Sequence, residues 1–123
     1  MVRSGETAWE GAAREVEEEI GVPVGDLAPL GAGPPLYAAV TNVSVVPFVA
    51  WLAAEDARFR PDPRELDGVL EVPVARLLDQ AAWEEGRPWP GRNLPVGAAV
   101  IWGLTARLLE DLLPLIGAAL ADP

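Results

Sequence analysis

Glu15, Glu18 and Glu19 stand at i, i+3 and i+4, so on a helix their carboxylates leave one face within a single turn. Three like charges at that spacing repel, and a cation has to offset them. Mg2+ or Mn2+ suits the task, because each takes hard carboxylate oxygens in near-octahedral geometry and keeps several waters. Arg14 lies one turn before Glu18, and Glu6 lies just ahead of the helix. A bidentate Glu6–Arg14 pairing can hold the guanidinium, and Arg14 can in turn fix a glutamate rotamer. On this reading, removing the charge of Glu18 relieves repulsion and leaves the metal-free protein as stable as before or more so. The plain alternative is a solvated acidic face without a ligand. The chain has no histidine and no cysteine, which excludes histidine bases and ligands, disulfides and thiolate chemistry and leaves carboxylates to do the work.

The element that positions these groups is well delimited. Thr7 followed by Glu10 is a capping box, in which the threonine oxygen takes a first-turn N–H and the glutamate reaches back to the cap. The helix therefore starts near Ala8. Ala12, Ala13, Val16 and Ile20 fall at helical spacing and make one apolar face. Gly21 sits where a left-handed terminating residue is wanted, and Pro23 prevents continuation.

Glu6, Arg14, Glu15, Val16, Glu18, Glu19, Gly21 and Val22 together resemble the Nudix box, G-x5-E-x7-R-E-U-x-E-E-x-G-U with U aliphatic. The resemblance implies an α/β (α+β) sandwich, a mixed sheet between helices with the box helix beside the sheet. It implies hydrolysis of a nucleoside diphosphate linked to another group, with Mg2+ or Mn2+ held by Glu15, Glu18 and Glu19. Glu6 and Arg14 form the orienting salt bridge, and one of the three glutamates or Glu65 accepts the proton from water. The residues do not choose among these four. The first glycine of the box, whose carbonyl commonly helps bind metal in the family, would fall just before Met1. Residues 1–123 are thus expected to be a single domain lacking its N-terminal strands. Ala12, Val16 and Ile20 on one side and Val43, Val45 and Phe48 on the other would then lack part of their cover.

With 123 residues the chain has the length of one domain, and 50% hydrophobic content with five tryptophans argues for a packed core rather than disorder. A net charge of −10 and a pI near 4.3 disfavour nucleic acid and anionic membranes as partners. The same charge repels an anionic substrate, so a diphosphate requires cations that reverse the local field. No apolar run is long enough to span a bilayer and no secretory leader is legible, so the expected location is the cytoplasm. The expected partner is a small nucleoside diphosphate, and a second copy of the chain is the candidate protein partner.

After the helix, residues 24–35 read as loop with an edge strand around Leu27–Leu30. Thr41–Leu52 is the strongest strand pattern and reads as central, although Pro47 calls for a bulge or an edge-facing position. Residues 55–67, with Pro61 and Pro63, read as a charged surface loop. Val69–Val72 reads as a short strand, Pro73–Asp79 as a short helix, and Gln80–Pro95 as a long irregular connection. Val96–Ile101 reads as a last strand, and a helix runs from Trp102 with Pro114 kinking it or ending its first part. Within the Nudix resemblance, residues 35–52, the Asp62–Asp79 segment DPRELDGVLEVPVARLLD and the Val100–Leu109 segment VIWGLTARLL resemble the coenzyme A diphosphatase-like subgroup. That points to coenzyme A or a related dinucleotide. Trp102, Gly103 and Thr105 read as helix packing, whereas Trp83 and Trp89 either stack an adenine or cover the sheet. Two rivals to a diphosphate hydrolase remain: a non-catalytic metal- or nucleotide-binding relative, and an inactive fragment.

Overall fold

The computed structural model describes residues 2–39, 41–53 and 58–121. They divide into two compact units, one drawn from Met1–Ala32 and Phe48–Val69, the other from Gly33–Pro47 and Leu70–Pro123. The class is α+β. Every strand pairing among the described residues is antiparallel, in sheets of two, two and three strands. No helix among them is long and apolar enough to cross a membrane.

The first unit is built on α1, Ala8–Ile20. Its capping box is complete: Glu10 N donates to Thr7 Oγ1 at 3.1 Å and Thr7 N donates to Glu10 Oε1 at 2.9 Å. At the other end Gly21 turns left-handed (φ +74°) and donates to the Glu17 carbonyl. Two last-turn carbonyls are then taken by a later segment, Ile20 O accepting from Arg60 N at 2.8 Å and Glu19 O from Asp62 N at 2.7 Å. Helix carbonyls that would otherwise be orphaned are thereby satisfied. Ala13 and Val22 are buried, with Ala12, Val16 and Ile20 half-buried, so the apolar face lies where the spacing puts it. Trp9, from the first turn, meets the ring of Phe48 edge-on at 5.8 Å.

Strands β1 (Leu27–Ala32) and β4 (Phe48–Leu52) complete this unit as an antiparallel pair. Their register shifts between Pro29 and Gly31, which makes Leu30 an extra residue in a bulge. Pro29, lacking an N–H, sits at the bulge where the ladder is already interrupted. The expected edge strand is therefore present and longer than Leu27–Leu30. Of the expected surface loop, residues 55–57 lie outside the described residues; the remainder turns at Pro63–Glu65.

In the second unit, β2 (Leu36–Ala38) pairs with β3 (Val43–Val45) as a hairpin. Thr41–Leu52 is thus not one central strand. It breaks at Val46 and Pro47, because Pro47 has no N–H for a ladder and its carbonyl instead accepts from Gly33 N at 2.9 Å. Gly33 suits this close approach: a Cβ at that position would come within 2.7 Å of the Leu112 Cδ2 and 3.0 Å of the Pro47 ring, so the leucine would have to shift. Val69–Val72 forms no strand, although Val72 packs on the core. The short helix is α2, Val74–Leu78, entered from Pro73.

Gln80–Pro95 is more ordered than its composition suggests. A 3-10 turn at Gln80–Ala82 leads into β5 (Glu84–Glu85), which pairs with β6 (Arg92–Val96); β6 pairs in turn with β7 (Ala99–Ile101). The core of this unit is Leu94, Ile101 and Ala106, covered by Val72, Leu77, Ala82, Trp83, Val96 and Leu109. Helix α3, Gly103–Ala121, runs on through Pro114 rather than ending there. Leu112 and Leu113 are buried just before the proline, and that packing holds the helix where its hydrogen-bond ladder loses a donor.

Gly21→Ala is expected to lower unfolding stability by about 1–2 kcal/mol, the penalty for placing an L side chain in the left-handed region. The new Cβ would also lie 3.2 Å from Arg60 Cβ. Gly25→Ala, where a Cβ meets nothing within 4 Å, is the control for chemical denaturation. Equal midpoints for the two variants would show that the terminator does not hold α1.

Candidate active site

Arg14 gathers the predicted residues. Its Nε donates to Glu6 Oε2 at 2.8 Å and its Nη2 to Glu6 Oε1 at 3.3 Å, a two-pronged pairing across the helix start. On its other side Nη1 donates to both oxygens of Glu18 at 3.2 Å, and Glu15 Oε1 lies 3.9 Å from Nη2. The Arg14 and Glu6 side chains are only 18% and 20% exposed, whereas that of Glu18 is 52% exposed. The guanidinium is therefore anchored from the sheltered side and presents Glu18 to solvent. Planar forks of this kind fix orientation as well as charge.

Glu6 is delivered by a turn. Glu6 N donates to the Arg3 carbonyl at 3.0 Å, Arg3 N donates to Glu6 Oε1 at 2.8 Å, and Gly5 takes the positive φ of +85° that the turn needs. The same turn brings Arg3 Nη2 to 3.4 Å from Glu18 Oε1. Glu19 is tied through its backbone to Asp62, and Glu65 follows in the turn that Asp62 opens, its N–H donating to the Asp62 carbonyl at 3.0 Å. The site as folded joins Glu6, Arg14, Glu15 and Glu18 around one guanidinium.

The chain matches the NUDIX domain family over residues 1–90. It belongs to the Nudix family. Among curated proteins, Escherichia coli strain SMS-3-5, Escherichia coli O157:H7 and Shigella boydii serotype 18 each have a relative named uncharacterized Nudix hydrolase NudL. Each is 28% identical to this chain, over 86% of it. The chain spans 57% of the length of these relatives.

The divalent cations that Nudix hydrolases generally use find donors of the right kind here, hard carboxylate oxygens on one helix face. Among the described residues, however, no group of three acids or other ligands converges to hold an ion. Glu15 and Glu18 lean on Arg14 instead, and Arg3 adds a second guanidinium at Glu18. The repulsion between Glu15 and Glu18 is therefore partly offset within the chain. Neutralising Glu18 would also loosen its pairs to Arg3 and Arg14, which opposes the gain from relieved repulsion.

Two contributors escaped the sequence. Arg3 lies outside any helical spacing and reaches Glu18 only through the turn at Gly5. Asp62 is held by Arg64, whose Nε and Nη2 donate to its two oxygens at 3.2 and 3.0 Å, while Arg64 N donates to Oδ1. The aspartate–proline–arginine order was a turn signal that could have found it.

Hydrogen bonds from Arg14, and then from Arg3 N, hold the Glu6 carboxyl below its ordinary value of 4.5. Arg64 lowers Asp62 in the same way below 3.8. Since the folded values are the depressed ones, their stabilisation is complete above the unfolded values and is lost as pH falls through the folded ones. The first unit should therefore lose thermal stability between pH 6 and pH 3. Glu6→Gln should shrink that loss without abolishing it, because Asp62 remains. Melting curves by circular dichroism at the two pH values check this; an unchanged pH dependence in Glu6→Gln would remove Glu6 from the account.

Proposed function

We propose that this Nudix chain carries the catalytic helix of a metal-dependent hydrolase that cleaves the diphosphate bond of a nucleoside diphosphate derivative. The observation that carries the reading is the Arg14 fork, which clamps Glu6 on its sheltered side and holds Glu18 out to solvent. Glu15, Glu18 and Glu19 would hold Mg2+ or Mn2+, which when bound supplies charge neutralisation at the phosphoryl oxygens and makes water a better nucleophile. Glu6 fixes the Arg14 plane, and Arg14 sets the rotamer of Glu18. A carboxylate oxygen of Glu15, Glu18, Glu19 or Glu65 takes the proton from the attacking water. The likeness of residues 62–79 and 100–109 to the coenzyme A diphosphatase-like subgroup supports coenzyme A or a related dinucleotide as substrate, acted on in the cytoplasm.

We also propose that the catalytic domain needs strands from outside these residues. The support is in the β1–β4 pair, where Leu30 and Trp51 are 64% and 61% exposed, and neither strand has a second neighbour among the described residues. Apolar faces and open edges of this kind are ordinarily covered. A second copy of the chain is the rival cover, and sedimentation of the chain with and without added flanking sequence separates the two.

Release of phosphate products from coenzyme A and ADP-ribose with Mg2+ or Mn2+ tests the activity. Metal binding without turnover would favour a non-catalytic relative. In an active protein Glu18→Gln is expected to lower the rate by roughly a hundred- to a thousand-fold, the usual loss of one preorganised electrostatic group; a change of only a few-fold would dismiss Glu18 as a ligand. Arg14→Lys keeps the charge but loses the fork. Its kcat should fall with KM little changed, and a large rise in KM at constant kcat would place Arg14 on the substrate instead.

A further inference from the structure

We propose that Trp89 and Trp102 form a stacking platform for the purine base of a nucleotide, a binding role in the second unit that the carboxylate site does not supply. The two rings stack on each other with centroids 4.6 Å apart and planes 18° from parallel. They remain 45% and 44% exposed, and neither belongs to the buried cluster around Leu94. Trp102, read from the sequence as helix packing, stacks on Trp89 just ahead of α3 and keeps much of its surface open. Trp83 takes the structural role instead: its Nε1 donates to the Leu77 carbonyl at 2.9 Å, and its ring covers the core with Arg92 over it.

What holds Trp89 in place is unusual for a loop residue. Asn93 is wholly buried, and its amide is committed to the β5–β6 loop. Its Oδ1 accepts from Trp89 N at 3.2 Å, and its Nδ2 donates to Trp89 O at 2.8 Å and Gly91 O at 3.0 Å. Gly86 N closes the loop on the Gly91 carbonyl at 2.7 Å. Both backbone groups of Trp89 are thus fixed from inside while part of the residue stays open to water. A loop made rigid around an exposed aromatic ring is preorganised for a flat partner, because the ordering cost is met before binding.

The features of the patch select among partners. The net charge of −10 disfavours a polynucleotide. The exposed parts of the two indoles come to on the order of 200 Å2, from the usual burial of an aromatic side chain, against about 800 Å2 that each side of a stable protein interface buries. A single base needs only one indole face and would extend the stack as a third ring.

The inference rests on the reading of the ligand as a nucleotide derivative, and its test avoids hydrolysis. AMP, which has no diphosphate bond, and ribose 5-phosphate, which has no base, are titrated into the full chain by calorimetry. AMP should bind more tightly than ribose 5-phosphate. Trp89→Ala should weaken AMP by about five- to a hundred-fold, the range for loss of one base–aromatic stack, with ribose 5-phosphate unaffected and Trp89→Phe recovering most of the loss. Trp102→Phe, which keeps a ring at the start of α3, should bind AMP more tightly than Trp102→Ala. AMP binding no tighter than ribose 5-phosphate, or Trp89→Ala binding AMP like the parent, would overturn the platform. Hydrolysis of coenzyme A or ADP-ribose in that case would leave the proposed function standing without it.

Discussion

The first unit depends on one planar cation. Arg14 faces Glu6 with two nitrogens and Glu18 with a third, so residues on opposite sides of the helix start are locked in one plane. An ammonium could balance the same charges but could not set their directions. Because Glu6 is itself held by Arg3 N, the fork also fixes the chain's approach to α1, and Arg3 is brought onto Glu18 as a result. Order in this acidic region comes from cations within the chain.

That fork works only on a helix with fixed ends. The capping box sets the phase of α1 at Thr7, and the Gly21 turn together with Arg60 and Asp62 sets where it stops. A helix frayed by one turn at its start would carry Arg14 away from Glu6. The segment that ties down the far end is also the one that bears Glu65, so the structural clamp and the proposed additional carboxylate come from the same stretch of chain. In the second unit Asn93 has the corresponding place. It is a buried polar residue with its donors and acceptor in use, and the hydrogen bonds that satisfy it are the ones that shape the Trp89 loop.

The sequence alone determined α1, its caps, its apolar face and the Glu6–Arg14–Glu18 pairing, because each depends on residues within one or two helical turns. The edge strand at Leu27 and the short helix after Pro73 were legible in local composition, and the α+β class came with the resemblance to the Nudix box. What tertiary structure decided was everything set by distant partners. Thr41–Leu52 has the residues of a central strand, yet Pro47 gives its carbonyl to Gly33 and the two halves pair with different strands. Composition made Gln80–Pro95 look irregular, since it does not reveal that Asn93 would be buried and organise the turn between β5 and β6. Trp83 and Trp89 were indistinguishable as sequence; an N–H within reach of the Leu77 carbonyl made one of them core, and a ring beside Trp102 kept the other at the surface. Helical spacing anticipated Glu15 and Glu18 on the side of the helix that Arg14 reaches. It could not show that Arg3 would join Arg14 at Glu18, because that depends on how a turn outside the helix folds back.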